Sequence, residues 1–171
     1  MNQFFVRAGP VAALLGLLGV DLLLKSWAVQ ALPDRDSVVI PGLLHLGFTL
    51  NTGMAWGLLG ERTFPLAALR LLVGLGLLGA LLRGVWSVPQ RYALALLGAG
   101  ALGNAVDGLT RGAVVDYLTS PALDRISLWV SAQPFPIFNL ADMLVIAGVL
   151  VLGTGAFARP VRAPNPTQGE S

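Results

Sequence analysis

The sequence predicts an all-α membrane protein: four transmembrane helices, with a small β-rich cradle built from the two long connections between them. Three observations point there. Of 171 residues, 55% are hydrophobic and only 12% charged, against roughly 25% charged in soluble domains, and mean hydropathy is +0.74. Four segments stay apolar over the ~20 residues a helix needs to cross ~30 Å of hydrocarbon. The long stretches between them carry prolines and alternating apolar residues, the pattern of short strands and turns.

The first segment, Ala8–Leu32, follows Arg7. A cationic residue ahead of an apolar run also begins a cleavable signal. Here apolar character resumes beyond Asp21 and Lys25, and nothing near Leu32 has an A-x-A pattern. The segment reads as a spanning helix that carries two charges. Residues 33–63 follow, with Pro33, Pro41 and the alternating stretches Val38–Ile40 and Leu44–Phe48, which predict short strands. The second segment, Phe64–Leu82, has Arg70 as its only charge. A short connection, Arg83–Arg91, contains Pro89 and leads to the third segment, Tyr92–Leu109, which carries Asn104 and Asp107. Residues 110–136 offer a strand at Ala113–Tyr117 and then a loop with Pro121, Pro134 and Pro136. The fourth segment, Ile137–Ala158, carries Asn139 and Asp142. Residues 1–158 thus read as one integral membrane domain, and 159–171, polar with three prolines, as a disordered tail.

Composition excludes several classes. Without cysteine there is no thiol catalysis, Fe–S cluster or disulfide. With His45 as the single histidine, a structural zinc site is not expected, and His45 reads as an ordinary strand residue. A net charge of +2 and no broad basic run argue against nucleic acid. Asp34, Asp36, Glu61 and Asp124 read as solvated loop charges.

An even number of spans puts both termini on one side and both long loops on the other. Five arginines (Arg7, Arg83, Arg91, Arg159, Arg162) on the terminal side against four (Arg35, Arg62, Arg111, Arg125) on the loop side do not orient the chain. Depth is more informative. At 1.5 Å per residue, Asp21 lies ~20 Å along the first segment, Asp107 ~22 Å along the third, and Asp142 ~8 Å into the returning fourth. All three fall in the same outer third of the hydrocarbon, whichever way up the protein sits. Ionisable groups at membrane depth face a protein interior or wet cavity and mark function. Asp21 and Lys25 are spaced i, i+4 on one helix face. Asn104, Asp107 and Arg111 share a second face, and Asn139 and Asp142 a third. Plainer readings exist for each: Asn139 as a helix cap, Asp21–Lys25 as a structural ion pair, and the glycines Gly98, Gly100 and Gly103 as close packing alone. Agreement in depth across three helices favours a site.

Four stretches then matter together: Asp21-Leu-Leu-Leu-Lys25; Asn51-Thr-Gly53-Met-Ala-Trp56-Gly57; Asn104-Ala-Val-Asp107 leading to Gly112-Ala-Val-Val-Asp116-Tyr117; and Phe135-Pro-Ile-Phe-Asn139-Leu-Ala-Asp142. In order and spacing, from about residue 10 to 155, they resemble the lipoprotein signal peptidases. The resemblance implies that Asp116 and Asp142 are the catalytic aspartates. It implies polar support from Asp21, Lys25, Asn51, Gly53, Asn104, Asp107 and Asn139. It further implies cytoplasmic termini, a periplasmic cradle over the site, and a monomer in the bacterial inner membrane. The expected substrates are precursor lipoproteins cut before a cysteine that already carries diacylglycerol, with acyl chains left in the membrane lipid; no metal or organic cofactor is implied. The sequence departs from the family at Gly108, where an arginine is usual, at Trp56 in place of phenylalanine, and at Met143. Arg111, one turn on, is the candidate to supply the missing charge.

Two carboxylates suit peptide hydrolysis because close like charges cannot both ionise cheaply, leaving one base and one acid. Asn51 and Asn139 are expected to orient the peptide or stabilise an oxyanion. Other readings stay open on the residues alone: a Ser–Lys peptidase using Ser26 and Lys25, a small proton-coupled transporter, and a non-catalytic scaffold.

Overall fold

The computed structural model describes residues 3–33, 35–53, 63–83 and 85–157. Trp56 and the rest of its motif after Gly53, the charges Asp34, Glu61 and Arg62, and the tail 159–171 lie outside the described residues. The elements are α1 (Gln3–Ala31), β1 (Ser37–Ile40), β2 (Leu44–Asn51), α2 (Thr63–Arg83), α3 (Val88–Thr110), β3 (Val114–Thr119), α4 (Pro121–Ser131) and α5 (Leu140–Phe157).

Helices α1, α2 and α3 are long and apolar enough to cross a membrane. The apolar run of α5, Leu140–Thr154, is shorter. Its helix starts three residues later than the expected Ile137 because Phe138 is held in extended pairing with Leu118: each N–H donates to the other's carbonyl, at 2.9 and 2.8 Å. Helix α3 starts earlier than expected. Gln90 accepts the Ser87 N–H at 3.0 Å, and Pro89 sits in the first turn, where its missing N–H costs nothing.

Helix α3 is the centre of the bundle and packs on α1, α2 and α5. Small residues allow the backbones to approach closely. A Cβ at Gly100 would strike the Ala141 carbonyl, and one at Gly108 would lie 2.7 Å from Ala67 Cβ. Gly74 faces Leu102 in the same way. Helices α2 and α3 are therefore antiparallel, with Ala67 level with Gly108 and Gly74 level with Leu102. The outer faces carry exposed Leu23, Leu72, Leu75 and Leu150, as a lipid-facing surface requires.

The three predicted strands form one antiparallel sheet, ordered β1-β2-β3. Its register pairs Thr49 with Asp116 and Asn51 with Val114. Gly112, at φ +72°, makes the left-handed turn that lets β3 leave α3. Val115 and Tyr117 of β3 are buried against Ala28 and Leu32 at the end of α1, which fixes the sheet to the bundle. Helix α4 corrects the expectation of a proline-rich loop. Ser120 caps it by accepting from the Leu123 N–H at 3.4 Å, Pro121 opens it, and Ala132 ends it in a left-handed conformation.

Candidate active site

The polar residues of the three helices meet in two connected layers. In the deeper layer, Asp21 and Lys25 of α1 are both 0% exposed. The Lys25 ammonium lies 2.9 Å from Asp21 Oδ2 and 3.4 Å from Asp107 Oδ2. It also donates to Asn104 Oδ1 at 2.7 Å. Three acceptors thus surround one three-proton donor, the arrangement a buried charge requires. Asp21 Oδ2 receives no well-aligned hydrogen bond, so the Lys25 charge alone holds it. Asp21 Oδ1 accepts the Ala141 N–H at 3.0 Å, joining the first helix to the last. Asp107 Oδ2 accepts the Val115 N–H at 3.0 Å, joining α3 to the sheet. Arg111 donates from Nε to Asp107 Oδ1 at 3.1 Å. Two carboxylates are thereby balanced by two cations.

The second layer holds Asp116 and Asp142. Asp116, on β3, accepts from Asn51 Nδ2 at 3.0 Å and from Asn139 Nδ2 at 2.6 Å. Asp142, in the first turn of α5, accepts from Asn104 Nδ2 at 2.9 Å and from the Asn139 backbone N–H at 3.1 Å. Its own N–H donates to Asn139 Oδ1 at 3.0 Å, so Asn139 does cap the helix. Asn139 is thus both a cap and a contact to the pair: its backbone holds one aspartate and its amide the other. The Gly53 N–H donates to Asn51 Oδ1 at 3.0 Å, which turns the Asn51 NH2 towards Asp116. Asn104 joins the layers, taking a proton donor from Lys25 on one side and offering one to Asp142 on the other. Burial, and then the charge of Asp142 nearby, push the Asp116 carboxyl up to about 7 against the pull of the two asparagines and Lys25.

Every sequence-predicted site residue has a place in this network. Asp21, Lys25, Asp107 and Arg111 form a buried support and make no hydrogen bond to Asp116 or Asp142. Asn51 and Asn139, the candidates to orient the peptide or an oxyanion, both give their amides to Asp116. Arg111 pairs with Asp107, a partner the sequence did not name. At Gly108 the close approach of Ala67 leaves no room for a side chain. Gly98 packs on Leu14, as plain packing predicts, but Gly103 abuts the Asp21 carboxylate and makes room for it. The Ser–Lys reading fails, because Ser26 Oγ faces Arg111 at 3.3 Å, while Lys25 is held by two aspartates and an asparagine. Among the described residues, no three His, Asp or Glu side chains gather as a metal site.

Two features were not anticipated. The Tyr117 hydroxyl is buried beside the site with no well-formed hydrogen bond among the described residues. A groove of about 840 Å³ runs from Asp116 and Asp142 between α2, α3 and α5, with walls such as Val73, Leu77, Leu97 and Leu150. Neither could be read from spacing, because both depend on how the helices and β3 come together.

A helical bundle with membrane-crossing helices, capped by a small sheet, and two aspartates at the head of an apolar groove define a membrane protein with a paired-carboxylate site. The family model described as signal peptidase (SPase) II matches residues 13–158. The chain is 41% identical over 148 residues to a lipoprotein signal peptidase of Deinococcus radiodurans, covering 84% of this chain and 76% of that one. It is 34% identical over 140 residues to one of Thermosynechococcus vestitus, covering 79% and 82%. The chain therefore belongs to the signal peptidase II family and is a peptidase. Its fold matches a solved "Bacterial membrane enzyme structure by the in meso method at 2.3 A resolution", with a TM-score of 0.75 at 22% identity over 92% of this chain and 95% of that one.

Proposed function

We propose that the chain removes the signal peptide from diacylglyceryl-modified precursor lipoproteins, cleaving before the lipidated cysteine, with Asp116 and Asp142 as the catalytic pair. The observation that carries this reading is their convergence: one aspartate from β3 and one from α5, joined through Asn139 at the head of an apolar groove. Asp116 is the acid of the pair. Its raised affinity for a proton, caused by burial and by Asp142, suits it to donate to the scissile carbonyl oxygen. Asp142 is the base and takes a proton from water as the water oxygen bonds to the carbonyl carbon. The tetrahedral intermediate then collapses: the C–N bond breaks, the proton held by Asp142 passes to the leaving nitrogen, and a hydroxyl proton of the intermediate returns to Asp116 as the new carbonyl forms. The buried layer of Asp21, Lys25, Asp107 and Arg111 acts through position, holding Asn104, β3 and the start of α5.

The membrane placement completes the reading. Helix α5 is the fourth span, both termini are cytoplasmic, and the site lies near the outer face of the bacterial inner membrane, under the sheet and α4. There the acyl chains of a substrate stay in the bilayer while its scissile bond reaches the aspartates. The protein acts as a monomer, and residues 1–158 are its single domain.

The test is reconstitution with a diacylglyceryl-modified precursor, following signal-peptide release by gel shift. Wild type is expected to cleave, while Asp116→Asn and Asp142→Asn, folded as judged by thermal melting, should lose at least ~10²–10⁴-fold in rate. Cleavage by either variant at the wild-type rate would remove that aspartate from the mechanism. A transporter or scaffold would yield no cleaved product at all.

A further inference from the structure

Arg70 is the one charge in the interior of α2, whose other arginine, Arg83, ends the helix, and it lines the same groove as Asp116 and Asp142. It is half-buried, and none of the ion pairs among the described residues involves it. A cation kept at membrane depth is costly and marks a ligand path more often than packing. Its level is set by the helix register. With Ala67 opposite Gly108 and Gly74 opposite Leu102, Arg70 stands level with Ala105–Val106, next to Asn104, the residue that touches Asp142. Val73 and Leu77 follow at i+3 and i+7 on the same face of α2 and also line the groove. The groove is thus graded: carboxylates and a guanidinium at one level, then only aliphatic wall further in.

We infer that Arg70 is a specificity-determining residue that binds the glyceryl ester carbonyls of the lipid carried by the substrate cysteine. This rests on the proposed function. On that reading the ester groups lie a few bonds from the scissile peptide, so a residue that reads them must stand level with the aspartates across the groove, as Arg70 does. The acyl chains beyond the esters then run along Val73 and Leu77. A guanidinium suits two neighbouring carbonyl oxygens because its planar fork presents several N–H donors at once. A lysine would offer a single point charge.

The experiment compares two precursor peptides that differ only in the lipid linkage, one with diacyl esters and one with dialkyl ethers, which lack the carbonyl oxygens. Wild type, Arg70→Gln and Arg70→Lys are assayed for kcat and KM. Wild type should prefer the ester substrate by about tenfold in kcat/KM, the size expected for a hydrogen bond to a charged group. Arg70→Gln should lower the ester substrate to the ether level, mainly through KM, and leave the ether substrate unchanged. Arg70→Lys should fall between. Equal use of ester and ether by wild type overturns the inference without requiring any variant to fold. So does an equal loss on both substrates in Arg70→Gln, or a rate that follows only the phosphate content of the host bilayer. If wild type cleaves neither precursor, the proposed function itself falls and takes this inference with it.

Discussion

Asn139 contacts both aspartates, through its side chain on one side and its backbone on the other. Asn139→Ala would keep the backbone bond and lose the amide bond to Asp116 and the cap of α5. We expect kcat to fall by about 10²-fold, and stability by ~1 kcal/mol for the lost cap, measured by peptide release and thermal melting. The pH profile belongs at this scale too. Asp116 must hold its proton to act as the acid, and burial with the Asp142 charge raises it to about 7. The rate should therefore fall as pH rises through about 7. Asn51 pulls in the opposite direction by hydrogen-bonding the charged form. Asn51→Ala should shift the alkaline limb to higher pH, and an unmoved limb would assign it to another group. At this scale the sequence was most legible. Residue type, helical spacing and common depth pointed to Asp21, Lys25, Asn104, Asp107 and Asp142. The direction of each asparagine amide was not legible, because it depends on which partner the fold brings opposite.

The elements show where spacing loses its power. Helix α4 was missed although Ser120-Pro121 is a helix-start signal, because Pro134 and Pro136 further on weighed towards a loop. The start of α5 was misplaced because apolar Ile137 and Phe138 continue the hydrophobic run, while long-range pairing with Leu118 holds them extended. The small residues of α3 read correctly as packing, but only the fold shows that Gly103 shelters a carboxylate. Gly103→Ala should crowd Asp21 and lower stability by ~1–3 kcal/mol, as overpacking does. Lys25→Met is the harsher change, since it strands two buried carboxylates, and ~3–5 kcal/mol is expected. Thermal melting in detergent compares the two, and a Lys25→Met protein as stable as wild type would remove the ion cluster from the account of the fold.

At the scale of the whole molecule, the apolar segments pointed to the helical, membrane-crossing architecture, and the proposed four-span topology can be checked directly because the sequence has no cysteine. Val39, on β1, and Val85, between α2 and α3, are exposed. In intact cells, Val39→Cys should react with an impermeant maleimide, and Val85→Cys only after permeabilisation. The reverse pattern would invert the orientation. The bond from the Ala141 N–H to Asp21 carries a further consequence, for biosynthesis. The chain emerges from the ribosome with Asp21 first and Asp142 late, so a nascent chain halted before Asn139 lacks the second aspartate and one of the two asparagines that hold the first. With Asp116 and Asp142 as the proposed pair, proteolytic competence is expected to arrive with the last helix, leaving a chain still being inserted unable to cut its neighbours.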